Sequence, residues 1–541
     1  MEVASKRSLL FWVPCVLAVL CVPCLFTSCG DGDGANPDAS ADTDSDTDTD
    51  TDTDADTDTD SDTDTDADSD TDSETDTAGS LSWVRSAGGI GADVGGGVAA
   101  FSDEALFVVG SFSDTATFGA GEANETTLVS AGDYDVFIAK YATDGSLVWA
   151  ERAGGDGDSA ETGVDVIPLA DGAALVAGYI GGTATFGAGE IDETTLTSAG
   201  GVDMFVAEYA ADGSLSWVKS AGGSEDDSPR SISADEDGAA FVTGGFRNAA
   251  TFGAGEANET ELIAVDEDDL FVAKYAADGS LSWAQSVAGE GYEEGVAVAV
   301  LSDDSVLVTG NISSTATFGV GEANETTLTS VGDSDIFIAK YDADGNLSWA
   351  KSMGGSNADN GVGASALPDG GFLISGTFFS SATLGAGEAN ETTLTSAGGS
   401  DAFVAKYAAD GSLSWARSAG GSEPDLSMGV SVSEDGSIVS AGAFGGMATF
   451  GAGEANETML TSAGDNDIFI ASYTADGSLS WARSAGGSGS DWSAGVSVFE
   501  DGSIIAAGAF AETATFGTGE ANETTLIAAG AADMFIAKYN P

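Results

Sequence analysis

One carboxylate recurs at a nearly fixed distance behind a repeated tryptophan. Asp93, Asp227, Glu293, Asp359, Asp425 and Asp491 each stand ten residues after a Trp, and in the second copy Asp158 stands nine after. Carboxylates gathered in this way offer hard oxygen ligands, and a ring of negative charge without basic partners suits a cation such as calcium. None of these loops follows the Asp-x-Asp-x-Asp-Gly pattern ending in glutamate, and an acidic side chain at a turn also caps backbone amides. We therefore read the seven residues first as turn caps and second as a calcium ring. Other chemistry is sparse. The chain has no histidine, which removes the commonest general base near neutral pH, the usual zinc ligand and every His-dependent nucleophile. Its four cysteines, Cys15, Cys21, Cys24 and Cys29, all lie at the N-terminus, so the rest of the chain has no disulfide and no thiolate site.

The elements that must position these carboxylates follow from a repeat. Trp83, Trp149, Trp217, Trp283, Trp349, Trp415 and Trp481 are spaced by 66 residues, apart from one step of 68. Within each unit, short runs rich in β-branched and aromatic residues alternate with Asp-Gly turns, as at Asp435-Gly436 and Asp476-Gly477, and give four strands. Helical periodicity is missing, so the fold class is all-β, and four-stranded blades around an axis are expected. The first unit begins at its fourth strand, near Gly79, and the last stops after its third, at Tyr539. The two ends therefore complete one blade, which closes a seven-bladed β-propeller without an open edge. The link between second and third strands carries a long polar insert, such as Ala448 to Ser462, and the link between blades carries the acidic loops. A binding site is expected on the rim those links share.

The stretches Asp335-Ile-Phe-Ile-Ala-Lys-Tyr341, Gly411-Ser-Leu-Ser-Trp415 and Gly354-Gly-Ser-Asn-Ala-Asp359 recur with small variations in every copy. From residue 80 to 541 the chain resembles the bacterial seven-bladed β-propeller repeat family, a resemblance that implies the fold and hardly any function. The seven tryptophans are expected to be inter-blade core. Lys140, Lys274, Lys340, Lys406 and Lys538 share a strand position with Glu208 and Ser472 and read as solvated. Asn124, Asn258, Asn324, Asn390, Asn456 and Asn522 open Asn-Glu-Thr sequons, with Asp192 in the second copy, which repeat duplication explains. Tyr292 with Glu293 and Glu294, and Trp492 beside Asp491, break the repeat most clearly. They are the candidates for a unique ligand site on the elaborated rim.

The formal charge is −75, from 90 acidic and 15 basic side chains, so nucleic acid is not an expected partner. Lys6 and Arg7 precede an apolar run from Leu9 to Phe26, as in a signal peptide. Leu25-Phe26-Thr27-Ser28-Cys29 resembles a bacterial lipobox, with Phe26 where such boxes carry an aliphatic residue. That resemblance implies acylation of Cys29 and a lipid anchor in a membrane, with Gly30 at the sorting position pointing to the outer membrane or cell surface. From Asp42 to Asp76 every even position is acidic. Neighbouring charges about 7 Å apart lie within the Debye length of about 8 Å, so residues 30–79 are expected to form a disordered tether.

The resulting expectation is residues 1–29 as signal peptide and lipobox, 30–79 as tether and 80–541 as a monomeric propeller. Its role is non-catalytic binding or scaffolding of a protein or polysaccharide. A calcium-dependent glycan binder is the alternative, and a hydrolytic or quinoprotein-like enzyme the third reading, since no unit bears a unique nucleophile, base or metal cluster. Cys29→Ala is expected to abolish incorporation of a clickable fatty acid into the protein in cells; undiminished labelling would remove the anchor.

Overall fold

A computed structural model describes residues 78–102, 104–155 and 161–541. All of these fall in one compact unit, Glu74–Pro541, and the signal peptide, Cys29 and the tether up to residue 77 lie outside the described residues. Every regular element among the described residues is a β-strand.

Hydrogen bonding gathers these strands into antiparallel sets of four. The first set is Asp93–Phe101, Ala105–Phe112, Asp135–Ala142 and Leu147–Ala153, paired in that order. The same grouping recurs through Thr162–Pro168 to Leu215–Gly223 and on to Asp425–Val432 to Leu479–Gly487. The seventh set has Trp492–Val498, Ile504–Phe510 and Asp533–Tyr539, and its fourth strand is Leu81–Ala87 from the other end of the chain, with Leu81 opposite Tyr539 and Ala87 opposite Met534.

Asp-Gly turns do the tight work, in a form slightly different from a two-residue hairpin. At Asp144-Gly145, Gly145 NH donates to the Ala142 carbonyl at 2.9 Å and Ala142 NH donates to the Ser146 carbonyl at 2.9 Å. Only Gly145 has positive φ, at 81°, so the glycine supplies the left-handed residue that closes a longer loop. Asp144 Oδ1 accepts from Ser146 NH at 2.9 Å and fixes the turn.

The sequence assigns the link between second and third strands to a polar loop. The structure corrects this: the link is an outer hairpin, Thr115–Phe118 with Thr126–Val129, and in several sets it runs on from the blade strands without a break, as in Ala174–Phe186 and Thr194–Tyr209. It is ordered by a buried inner face, since Ala116 and Phe118 are buried and Phe118 lies 5.1 Å from Phe137. Its outer face carries cross-strand threonine pairs such as Thr117 with Thr127 at 3.1 Å.

The hairpin also explains the Gly-Gly at or just past the end of six of the seven fourth strands, the third set having Ala288-Gly289. Gly420 and Gly421 pair with Thr449 and Ala448 in the hairpin of the following set. A Cβ on Gly421 would lie 1.7 Å from the Met447 carbonyl oxygen, and one on Gly420 would lie 2.4 Å from the carboxyl carbon of Asp401. Backbone and carboxylate approach so closely that neither position has room for a side chain.

The first strands of consecutive sets touch along the chain, and the last, Trp492–Val498, also touches the first, Asp93–Phe101. Apolar side chains fill the space between sets. Leu106, Val108, Phe137 and Tyr141 of the first set share one buried cluster with Phe499, Ile505 and Ile536 of the last. Gly421→Ala is expected to cost on the order of 3 kcal/mol, the upper end for overpacking a filled site, read as a lower urea midpoint with an unchanged slope; a variant as stable as the parent would show that the strand–hairpin junction yields.

Candidate functional site

The carboxylates that follow the tryptophans do not form an exposed ring. Asp93, Asp227, Glu293, Asp359, Asp425 and Asp491 are all buried, at 0–1% exposure. Asp158 lies outside the described residues. The equivalent buried residue in the second set is Glu161, which sequence spacing from Asp227 by a full repeat of 66 identifies and spacing from the tryptophan does not.

Each aspartate closes its loop. Asp425 Oδ2 accepts from Gly421 NH at 2.7 Å, and the same contact joins Gly89 to Asp93, Gly223 to Asp227, Gly355 to Asp359 and Gly487 to Asp491. The second oxygen of Asp227, Asp359 and Asp491 accepts from the NH of Arg247, Phe379 and Ala511 at 3.0–3.2 Å. This is the turn-capping geometry expected of acidic loop residues.

The structure brings a second carboxylate beside each of these. Asp135, Asp203, Asp269, Asp335, Asp401, Asp467 and Asp533 stand at the head of the blade-forming part of the third strands and are buried at 0–4% exposure. Their Oδ2 atoms cap the same kind of loop, as where Asp401 accepts from Ala397 NH at 3.1 Å and Asp533 from Ala529 NH at 3.0 Å. The two loops run side by side across the junction of consecutive sets. Asp93 NH donates to the Ala532 carbonyl at 2.9 Å, and Asp491 NH to the Asn466 carbonyl at 2.8 Å. Oδ1 of Asp335 and Oδ2 of Asp359 lie 2.7 and 2.9 Å from the point a Cβ on Gly354 would occupy. Sequence reasoning recorded these aspartates only as strand starts. The available signal was an acidic residue held in all seven copies at the head of an otherwise apolar strand.

Burial raises several of these acids. Desolvation, with lesser repulsion from the neighbouring carboxylate, pushes Asp93, Asp227, Asp359 and Asp491 up to about 7 and Asp425 to about 8. Burial alone lifts Asp203 and Asp401 to about 6. At one junction a cation is built in: Arg152 Nη1 lies 2.6 Å from Asp135 Oδ2, and burial followed by Asp135 raises Glu161 to about 8.

The asymmetric candidates are placed differently from expectation. Glu294 is buried at 6% exposure, bonded to Arg230 Nε at 2.6 Å and to the Tyr292 hydroxyl at 2.5 Å. Trp492 is buried at 8% exposure at the head of its strand. Neither side chain stands on an open rim, because both positions begin a first strand, which is enclosed by its neighbours.

The tryptophans are half-buried staples between sets, only Trp481 being fully buried. Trp83 Nε1 donates to the Thr143 carbonyl at 2.9 Å, and Trp149, Trp217, Trp283 and Trp415 donate to the corresponding turn of the next set at 3.1–3.3 Å. Trp349 lies against Gly411, and Trp481, in the sixth set, lies against Gly79 at the start of the described chain. The recurrent lysines are likewise less solvated than their alternation suggests. Lys140 Nζ reaches the Gly172 carbonyl of the next set at 3.2 Å and lies 4.9 Å from the Phe107 ring, and Lys274 lies 4.6 Å from Phe241. Asn124 of the sequon position donates its amide to the Leu147 carbonyl at 3.1 Å, which gives this repeated asparagine a structural task.

Comparison adds little to this geometry. No family model matches the chain, and no curated protein matches it. Among solved structures, it is similar to the WD40 domain of Pan2 from Neurospora crassa, at 9% identity and a TM-score of 0.33 over 70% of this chain and 89% of that one. It is also similar to a Dyadobacter fermentans protein of unknown function, at 10% identity and a TM-score of 0.32 over 85% of this chain and all of that one.

The raised acids set a pH dependence. Asp93, Glu161, Asp203, Asp227, Asp359, Asp401, Asp425 and Asp491 ionise near pH 4 in the unfolded chain and near 6 to 8 in the folded one, so the unfolded state loses its protons first as pH rises. Their contribution therefore falls from about pH 4 and is fully lost above about pH 8. Exposed turn acids such as Asp144, held below the usual range by bonds from Ser146, act only below about pH 4 and leave that window unchanged. In chelator, the melting temperature is expected to be higher at pH 5 than at pH 8; the opposite slope would mean the junction carboxylates are ionised at little cost.

Proposed function

We propose that the chain is a non-catalytic recognition or scaffolding protein, lipid-anchored through Cys29 at the cell surface, in which the sets of four strands are the blades of one closed seven-bladed β-propeller. Support for closure comes from the shared last sheet, in which Leu81–Ala87 pairs with Asp533–Tyr539, and from the contact of Trp481 with Gly79. Such an arrangement leaves no blade edge to recruit another chain.

The observation that carries the binding reading is the repeated outer hairpin. Pairs Thr117–Thr127, Thr185–Thr195, Thr317–Thr327, Thr383–Thr393 and Thr515–Thr525 recur on it at 2.9–3.1 Å, all exposed. At one equivalent hairpin position Val129, Ile263 and Ile527 are exposed at 59–73%. Near-identical hydroxyl-bearing faces with single apolar contacts, repeated from set to set, suit a polysaccharide with a regular repeat, which several faces engage at once with a gain in avidity. Glycan contact through calcium on the acidic loops is not the reading favoured, because those carboxylates are buried.

The full chain is expected to be retained on immobilised envelope polysaccharide, and Thr127→Lys combined with Thr327→Lys and Thr393→Lys is expected to reduce retention at least tenfold while the melting temperature is kept. Retention that ignores these substitutions would exclude the hairpins as the recognition surface.

A further inference from the structure

The paired carboxylates at the junctions are more than turn caps require. A serine or asparagine closes such a loop with a neutral oxygen, yet both sides of every described junction carry an acid. We propose that the five Asp–Asp junctions, Asp533–Asp93, Asp203–Asp227, Asp335–Asp359, Asp401–Asp425 and Asp467–Asp491, hold divalent cations of the calcium class, each bridging two consecutive sets of strands. This inference does not depend on the polysaccharide reading.

The junction of Asp401 with Asp425 carries the argument furthest. Both side chains are more than nine-tenths buried, at 4% and 1% exposure, and Oδ1 of Asp401 meets no hydrogen-bond donor. A buried carboxylate oxygen left without a partner is costly and calls for an ion or a proton. The charged groups that act on Asp425 are Asp401 and Glu423, both negative. Asp203, Asp335, Asp467 and Asp533 each repeat the unbonded Oδ1. A glycine leaves room for each of these carboxylates: a Cβ on Gly88, Gly222, Gly420 or Gly486 would stand 2.4–2.5 Å from the carboxyl carbon of Asp533, Asp203, Asp401 or Asp467.

The junction of Asp135 with Glu161 shows a cation in place. Where six sets have serine, at Ser86, Ser220, Ser286, Ser352, Ser418 and Ser484, the first set has Arg152, and its guanidinium lies on Asp135 beside Glu161. An internal cation thus stands at the acid pair in that copy.

The ligand chemistry selects the ion class. With no histidine in the chain and no cysteine after residue 29, the available donors are oxygens, which suit calcium rather than zinc or copper. Among the described residues no three acidic side chains converge, so each site offers two carboxylates, with backbone carbonyls and water to complete the shell. So few charged ligands suit an affinity of about 10⁻⁴–10⁻³ M, the range of extracellular calcium modules.

The test is calorimetric titration of calcium chloride into the full, chelator-stripped chain, with melting curves at matched ionic strength. The parent is expected to bind calcium and to melt several degrees higher with it. Asp401→Asn combined with Asp425→Asn is expected to lose one equivalent, a difference in which calcium condensed on the tether cancels. Arg152→Ser is expected to gain one equivalent, at Asp135 and Glu161, which keeps the inference testable if the first variant fails to fold. Equal stoichiometry in all three proteins, or a rise in melting temperature that magnesium or sodium chloride reproduces in full, would overturn it and leave protonated acid pairs.

Discussion

Each set of four strands is apolar on both faces, and that constraint governs the rest of the molecule. Ala105–Phe112 is buried along its whole length, so neither face of that sheet is available to water. A sheet of this kind has no stable existence alone and must lie between two others. The buried clusters accordingly join neighbouring sets, as Phe107 and Val109 join Val176 and Phe205. The same demand falls on the terminal sets, and it is met by the cluster shared between Phe137 and Ile505. A permuted strand at the N-terminus follows, because it ties the two ends of the chain into one sheet.

Close contact between sheets transfers the cost to their rims, where polar backbone must also be satisfied. The fourth strand continues past its own set and bonds to the hairpin of the next, and Gly-Gly makes that crossing sterically feasible. Charged side chains follow the same direction. Lys219 meets Glu256 at 2.8 Å and Lys351 meets Glu388 at 2.8 Å, each pair reaching from one set to the next. Both pairs are partly exposed, so their energetic share is small, about 0–1 kcal/mol each, and their effect is on alignment.

The fold was largely legible because its signals are local and sevenfold. Asp-Gly turns, alternating apolar runs and the permuted phase each depend on neighbours in sequence, and repetition averages out the exceptions. The outer hairpin was missed because its inner face is only Ala116 and Phe118 within a Thr- and Gly-rich segment, too short a pattern to separate from a polar loop. The junction acids were half legible. Asp425 was found from its spacing to Trp415, but its partner Asp401 stands in another set, and only the parallel course of two loops brings them together. Trp492 and Glu294 misled in the opposite sense, since departure from the repeat reveals nothing about exposure.

The cation count decides how these junctions must be neutralised. With 15 basic side chains in the whole chain, several committed to hairpin glutamates or to aromatic faces, cations for the junction pairs are scarce, and Arg152 supplies one. At the Asp–Asp junctions two buried acids sit side by side, and at Asp401 with Asp425 the further neighbour, Glu423, is also negative. Either a proton or an external cation compensates them, and the two differ in consequence. Protonation weakens steadily as pH rises through 7, so a protein relying on it would loosen at neutral pH. A divalent ion gains affinity as its ligands ionise, and would hold the seams under the same conditions. Bridging by an ion at the five Asp–Asp junctions gives those seams a stability that packing of small alanine- and glycine-rich strands supplies only in part.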